Sequence, residues 1–400
     1  MTPSVRCCSG LSPSLLAVAL LGATQPGTAF GAAAEGRSLA VHFECNRCHE
    51  LEGIEPASRE RACVRCHDEI LAGRFDAPEP SLARWAGRLK SLPAAPALTE
   101  VGERLRRDWL IEFLLEPADL RPRLPATMPR FDMTRKQAGA LADFLGAAEP
   151  AEEEEAIGGD PQRGRVLVER SACITCHAFS GIELGGGSPL PVEPKTGRHS
   201  DAVLLAPDLR ATRARYRPAA LVRFLIDPTA LPGSLMPKFD FSEQDARDVA
   251  AFVLNAPLEA ISAPAAPRPG PPLGRAVRHS EVDRRVFHKV CRHCHGDPRS
   301  THGNTGPGNA GGFGFPGRGL NVETYKGLIA GSRDASGRRR SVFRKTADGT
   351  PLLVAVLLAR HAEVAGEPIP GLRGMPMGLP PLPMEDIQLV ATWVAQGHRR

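Results

Sequence analysis

Four copies of the pentapeptide C-x-x-C-H occur in this chain. Two thiols at this spacing can bond covalently to the two vinyl groups of one haem, and the adjacent imidazole can bind the iron. The cysteines are Cys45, Cys48, Cys63, Cys66, Cys173, Cys176, Cys291 and Cys294, and the histidines are His49, His67, His177 and His295. About 0.01 copies would be expected by chance. The motifs therefore predict four covalently bound haems c rather than redox-active dithiols or zinc sites.

The composition agrees with a protein that packs around large cofactors. Aromatic residues make up only 5% of the 400 residues, while Gly (40) and Pro (38) are frequent. Covalent haem would supply the apolar volume that the side chains lack. The formal net charge is +5, but haem propionates would add negative charge. The charge is therefore no argument for nucleic acid, and the arginines at 338–340 are expected to form a solvated loop or a docking patch for an acidic redox partner.

Residues 1–34 have the features of a secretory signal. Arg6 precedes an apolar core at residues 15–21, and small residues follow as far as Ala34. The apolar run is too short to span a bilayer. We therefore expect an exported protein that is soluble in the periplasm and associates with a membrane only through a partner.

Two linkers are expected to divide the remaining chain into three modules. Residues 149–159 form an acidic linker, and residues 257–275 form a Pro/Ala-rich linker that favours extended, semi-rigid chain. Module one, residues 35–148, contains two C-x-x-C-H motifs. Module two, residues 160–256, and module three, residues 276–400, contain one motif each.

Modules one and two repeat each other. Pro96 and Pro207 each begin a segment that ends at a second proline 21 residues later and that carries an apolar face at helical spacing. A Met-Pro loop follows in each module, and an aromatic residue lies 16 residues after its methionine in a predicted closing helix, at 135–145 or 243–254. A glycine also lies nine residues before the first motif cysteine in each module, at Gly36 and Gly164.

This order of elements resembles class I cytochrome c domains. The resemblance implies a mostly α fold of three linked cytochrome c-like helical modules around covalent haems. It also implies that the first and last helices of a module cross at the glycine and the aromatic residue. Met128 and Met236 would be the second iron ligands, and the Pro207 carbonyl, with Pro96 as its counterpart, would accept a hydrogen bond from Nδ1 of the proximal histidine.

Module three departs from this plan. Its residues 375–382 have the sequence MPMGLPPL and precede a helix with Trp393, which resembles the cytochrome c modules of planctomycete and other large bacterial proteins. That resemblance selects Met375 as the second ligand, whereas the 16-residue spacing to Trp393 selects Met377. We favour Met375. His361 is expected to lie at the surface, one residue beyond a predicted helix at 352–360.

The second haem of module one needs another ligand. His42 is the only histidine of the module outside its two motifs, and we expect it to bind the iron of the haem held by Cys63 and Cys66. His293 lies between the cysteines of the last motif and is expected to face water.

The sequence leaves open which haem of module one has Met128 as its second ligand, and which proximal histidine donates a hydrogen bond to Pro96. The apolar helix before the first motif pairs Met128 with His49. The 29 residues between His67 and Pro96, close to the 30 between His177 and its proline, favour His67 instead. We favour His49.

Two classes of function are consistent with these motifs. The first is electron transfer between redox partner proteins, either by a free carrier or by the cytochrome subunit of a larger oxidoreductase. The second is a haem enzyme, such as a peroxidase or a small-anion oxidoreductase, which needs an accessible iron with acid–base groups beside it. Because methionine ligands would close the iron sites of modules two and three, an enzymatic site is expected in module one. We favour electron transfer.

Overall fold

The computed structural model describes the chain from residue 27 to residue 400 with several gaps. The gaps are residues 59–60, 88, 90–94, 97, 99, 119, 125–127, 148–156, 186–201, 262–266, 269, 298–317 and 335. Residues 1–26 of the expected signal and parts of both expected linkers thus lie outside the described residues. The described part is mostly helical, as predicted. Within it, no helix is both long and apolar enough to cross a bilayer.

Module one begins with a helix that overlaps the expected signal. Its helices are α1 Gly27–His42, α2 Cys63–Leu71, α3 Glu79–Ala86, α4 Val101–Arg104, α5 Arg107–Leu115 and α6 Arg135–Phe144, and a 3₁₀ turn spans Cys45–Arg47. The closing helix α6 lies where the sequence predicts it. It starts at a capping box, in which the Thr134 and Gln137 side chains each accept a hydrogen bond from the other residue's backbone N–H.

Module two has the same succession of elements. Its helices are α7 Pro161–Arg170, α8 Thr212–Arg215, α9 Pro218–Ile226 and α10 Glu243–Asn255, and its 3₁₀ turns are Cys173–Thr175, Leu209–Ala211 and Pro228–Ala230. Asp160 caps α7 by accepting a hydrogen bond from the Gln162 backbone N–H at 2.8 Å. Pro161, at the first helical position, has no N–H that would need a partner. These local signals fix where the helix starts.

The first and last helices cross in both repeats, as the resemblance implies. A Cβ at Gly36 would clash with the Ala140 carbonyl oxygen and lie 2.6 Å from the Phe144 Cβ. A Cβ at Gly164 would likewise clash with a backbone carbonyl of α10 and lie 2.9 Å from the Phe252 Cβ. The two backbones therefore approach so closely that only glycine fits at the crossing point.

Module three is built differently before its motif. Its helices are α11 His279–Val282, α12 Arg292–His295, α13 Tyr325–Ala330, α14 Leu352–Val364 and α15 Met384–Ala395. A π-helical segment, Asp283–Cys291, joins α11 to α12, and two short antiparallel strands, β1 Ser332–Arg333 and β2 Arg339–Arg340, pair with each other. Trp393 and Ile387 of α15 are fully buried against Phe287 and Leu328. This core is separate from those of modules one and two.

Modules one and two meet through equivalent residues. Leu105 and Tyr216, each nine residues after the repeat proline, form an antiparallel β-bridge. The Arg106 N–H donates to the Arg215 carbonyl at 2.8 Å, and in the reciprocal position the Arg217 N–H donates to a carbonyl of module one at 2.9 Å. Such reciprocal bonding is the pattern of a two-fold symmetric interface. The internal repeat is therefore also a structural pair.

Candidate haem sites

The motifs at Cys45 and Cys173 fold as the same turn. The residue before each motif, Glu44 or Ala172, has a left-handed backbone with φ of 55° or 52°. The N–H of the motif histidine then donates to the carbonyl of the first cysteine at 2.9 Å in both turns. Burial raises the pKa of both first cysteines to about 11, so these thiols stay protonated. The two motifs thus present their cysteines and histidine from one closed backbone loop.

The proximal histidines are oriented by proline carbonyls. His49 Nδ1 donates to the Pro96 carbonyl at 2.8 Å, and His177 Nδ1 donates to the Pro207 carbonyl at the same distance. Because a carbonyl can only accept, both rings carry their proton on Nδ1 and leave the Nε2 lone pair for a metal. Burial lowers the pKa of both histidines, although the proline carbonyls oppose this shift. The predicted hydrogen bond to Pro207 is confirmed.

The structure also decides which histidine uses Pro96. The 29-residue spacing favoured His67, but the carbonyl accepts from His49. Met128 packs against the same core as Cys45, the first cysteine of the His49 motif. The structure therefore agrees with the interpretation from the opening helix, which pairs Met128 with His49.

Each expected methionine lies against the core that contains the first cysteine of its motif. The pairs are Met128 with Cys45, Met236 with Cys173 and Met375 with Cys291. In module three, Met375 packs against the core and donates its backbone N–H to the Val356 carbonyl at 2.7 Å. This position favours Met375 over Met377.

His361 differs from the sequence expectation. Helix α14 continues to Val364, so His361 lies within it rather than one residue beyond it. The side chain is part-buried, and its Nε2 donates to the Leu382 carbonyl at 2.8 Å. The expectation of a surface histidine beyond the helix was therefore wrong, because the apolar helix extends one turn further than the sequence pattern indicates.

Three motifs meet around one buried arginine. Cys48 and Cys63, from the two motifs of module one, are hydrogen-bonded through their thiols. Cys294 of module three is close enough to interact electrostatically with Cys63 and with Arg47. Arg47 is only 3% exposed, and its Nε donates to the Arg61 carbonyl at 3.0 Å. We call this meeting point of three motifs the Arg47 junction.

The pKa values of Cys48 and Cys63 at the Arg47 junction are shifted in opposite directions. The hydrogen bond from Cys48 and the nearby charge of Arg47 lower the pKa of Cys63 to about 6, although burial opposes the shift. The same hydrogen bond, together with burial, raises the pKa of Cys48. Cys63 is thus the thiol of the pair that ionises more easily.

His293 is the residue that sequence reasoning missed. It is exposed, as expected, but its ring centroid lies 6.5 Å from that of His67, with the ring planes at 34°. His42 is exposed at the end of α1, with its ring centroid 4.9 Å from that of Phe43. The sequence did contain a signal for His293, since this residue lies between the two cysteines of a motif and therefore near a predicted haem.

The interface between modules one and two contains buried positive charge. The Nε atoms of Arg104 and Arg215, each eight residues after the repeat proline, are buried and have no hydrogen-bond partner among the described residues. Burial lowers the pKa of Arg215, and the neighbouring Arg104 lowers it further, although Tyr216 opposes this. Buried charges of this kind need anionic partners. Haem propionates have the required charge, so these residues fit the predicted cofactor.

The motif cysteines are free thiols in the structure. Within the described ranges, no group of three or more His, Cys, Asp or Glu side chains is arranged to hold a metal ion. Haem iron takes at most two axial ligands from a protein, so the histidine and methionine pairs above are the relevant arrangement. No family model, curated protein or solved structure matches this chain.

Proposed function

We propose that this protein is an exported tetrahaem c-type cytochrome that transfers electrons between redox partner proteins in the periplasm. The motif cysteines would hold the haems, and His49, His67, His177 and His295 would be the proximal ligands. When bound, the haems would supply reversible one-electron redox chemistry. The protein's own contribution is to fix the ligands, to bury the sites and to bring them close together.

The observation that carries this proposal is the Arg47 junction. It brings Cys48, Cys63 and Cys294, one from each of three motifs, to one point of the structure. The fourth motif is tied to module one by Arg123, whose Nη1 donates to the Cys176 carbonyl at 2.7 Å. Three of the four motifs thus meet at one point, and the fourth contacts module one through Arg123. This proximity supports electron transfer between haems.

The ligand residues support an electron-transfer role at each site. The proline carbonyls that accept from His49 and His177 hold each imidazole in one tautomer and increase its donor strength. A methionine sulfur as the second ligand would favour the reduced metal and raise its potential. With both ligands bound, the iron would have no position for a substrate, so a carrier fits these residues better than an enzyme does.

The competing enzyme hypothesis needs an accessible iron at the second haem of module one. The ring of His293 lies beside His67, where such a site would have to open. This position supports electron transfer rather than peroxide or small-anion chemistry.

The first test is a count of covalent haems on the purified, exported protein. Pyridine haemochrome absorbance against protein mass should give four haems. The double variants Cys63→Ser/Cys66→Ser and Cys173→Ser/Cys176→Ser should each give three, because each removes one attachment site. A count of two or fewer in the parent protein would contradict the proposal.

A second measurement separates the carrier from the enzyme. Stopped-flow mixing with small redox proteins should show rapid electron exchange that slows as salt rises, if charged surfaces steer docking. The same preparation should turn over hydrogen peroxide negligibly. Sustained peroxide turnover that is lost in Cys63→Ser/Cys66→Ser would favour the enzyme hypothesis instead.

A further inference from the structure

We infer that His293 of module three is the second axial ligand of the haem held by Cys63, Cys66 and His67 of module one. The inference rests on the proposed haem function. It means that the C-terminal module completes an iron site in the N-terminal module, so that module one does not form its full set of redox sites alone.

The separation of the two imidazoles fits ligation of one metal from opposite sides. A bond between a metal and an imidazole nitrogen is about 2.0–2.1 Å long. With each nitrogen about 1.1 Å from its ring centre, two such bonds in line place the ring centroids about 6.3 Å apart. The centroids of His67 and His293 are 6.5 Å apart. Rotation of the rings about the bond axis is free in such a pair, so the 34° between their planes is compatible with it.

Two independent contacts hold His293 in this place. The neighbouring Cys294 lies at the Arg47 junction, close to Cys63. On another side of module three, Arg130 of the module-one methionine loop donates through Nη1 to the Leu372 carbonyl at 3.4 Å. The position of His293 beside His67 therefore follows from docking of the whole module and not from one side-chain rotamer.

The other histidines near this region have different surroundings. His288 accepts a hydrogen bond from Arg292 at 2.5 Å. His279 lies among aromatic rings of its own module, with its ring centroid 5.1 Å from that of Tyr325. His42 lies at the exposed end of α1. Among the described residues, His293 is thus the histidine that the structure brings to His67.

A second histidine at this iron would have a functional consequence. Methionine–histidine ligation raises the potential of a haem, so a site with two imidazoles should have a lower potential than the methionine-ligated sites. The junction would then hold a low-potential haem beside higher-potential neighbours, and electrons on this haem would be favoured to move to those neighbours.

The test compares His293→Ala with His42→Ala in the full-length holoprotein. Both variants should retain four haems by pyridine haemochrome. In low-temperature EPR, His293→Ala should convert one low-spin haem of the four into a high-spin haem, and added imidazole should restore the low-spin signal. His42→Ala should leave all four haems low-spin.

A second variant keeps the test decisive if His293→Ala is poorly folded. His293→Met should stay low-spin, because methionine can also bind iron, but it should raise the potential of one haem only. An unchanged EPR spectrum in His293→Ala, or a high-spin haem in His42→Ala, would overturn the inference. A haem count of two or fewer in the parent protein would instead refute the proposed function, so the two failures are distinguishable.

Discussion

The crossing of α7 and α10 in module two makes a quantitative prediction for Gly164→Ala. A Cβ at this position would clash with the Asp248 carbonyl oxygen and lie 2.9 Å from the Phe252 Cβ. Neither contact is with a flexible side-chain end, so the two helices must separate. Overpacking of this kind costs about 1–3 kcal/mol.

Two further effects modify that cost. Alanine favours the helix over glycine by about 1 kcal/mol, which reduces the loss. Separation of the helices would, however, disturb the buried Asp248 carboxylate, which accepts hydrogen bonds from the Asp160 N–H at 2.8 Å and from Arg163 Nη1 at 2.6 Å. Bonds to a charged group contribute about 1.5–3 kcal/mol each. We therefore expect a net local destabilisation of about 2 kcal/mol.

Hydrogen exchange measured by mass spectrometry resolves this loss by segment. Amides of α7 and α10 should exchange about 30-fold faster in Gly164→Ala, while those of α14 and α15 in module three should be unchanged. Gly274→Ala is the matched control, because a Cβ at Gly274 meets no atom within 4 Å. Unchanged exchange in α7 and α10 would refute the close crossing of these helices. Equally accelerated exchange in all three modules would show that the destabilisation is not confined to module two.

The remaining predictions concern the methionines. Met236→Ala should lower the reduction potential of one haem and leave the other three, because a soft ligand that favours ferrous iron is lost; the weak methionine–iron absorption band should decrease in the same variant. If both the potential and the band are unchanged, Met236 only fills the core. Met375→Ala should have the same effect on a different haem, and Met377→Ala should leave all potentials within error in a redox titration. The reverse result would assign the ligand to Met377.

The internal repeat has a structural as well as a sequence meaning. Leu105 and Tyr216 bridge the two modules at equivalent positions, and the buried Arg104 and Arg215 lie beside this bridge. A two-fold arrangement places corresponding surfaces of the two modules against each other. Each module therefore contributes a buried positive charge to this interface. Anionic partners are needed at this one place for both charges.

The sequence by itself determined the motifs, the repeat, the mostly helical fold and the positions of the closing helices. C-x-x-C-H needs only five consecutive residues, and the closing helices were visible because apolar residues recur at helical spacing. The crossing glycines were visible because Gly36 and Gly164 lie at the same distance before their motifs. The Pro207 carbonyl was identified through the class I resemblance and is confirmed by its hydrogen bond.

Only the tertiary structure decided how the motifs are arranged relative to one another. His67 and His293 are more than two hundred residues apart in the chain, and their contact depends on docking of module three against module one. The choice of His49 over His67 for Pro96 also depended on the path of the chain, because Pro96 lies 47 residues after His49 and the spacing from His67 was the one that matched module two. A contact between modules follows from complementary surfaces that each module completes only after folding. Such a contact leaves no periodic pattern in the sequence. For this reason the sequence predicts that His293 faces water, whereas the structure places it beside His67.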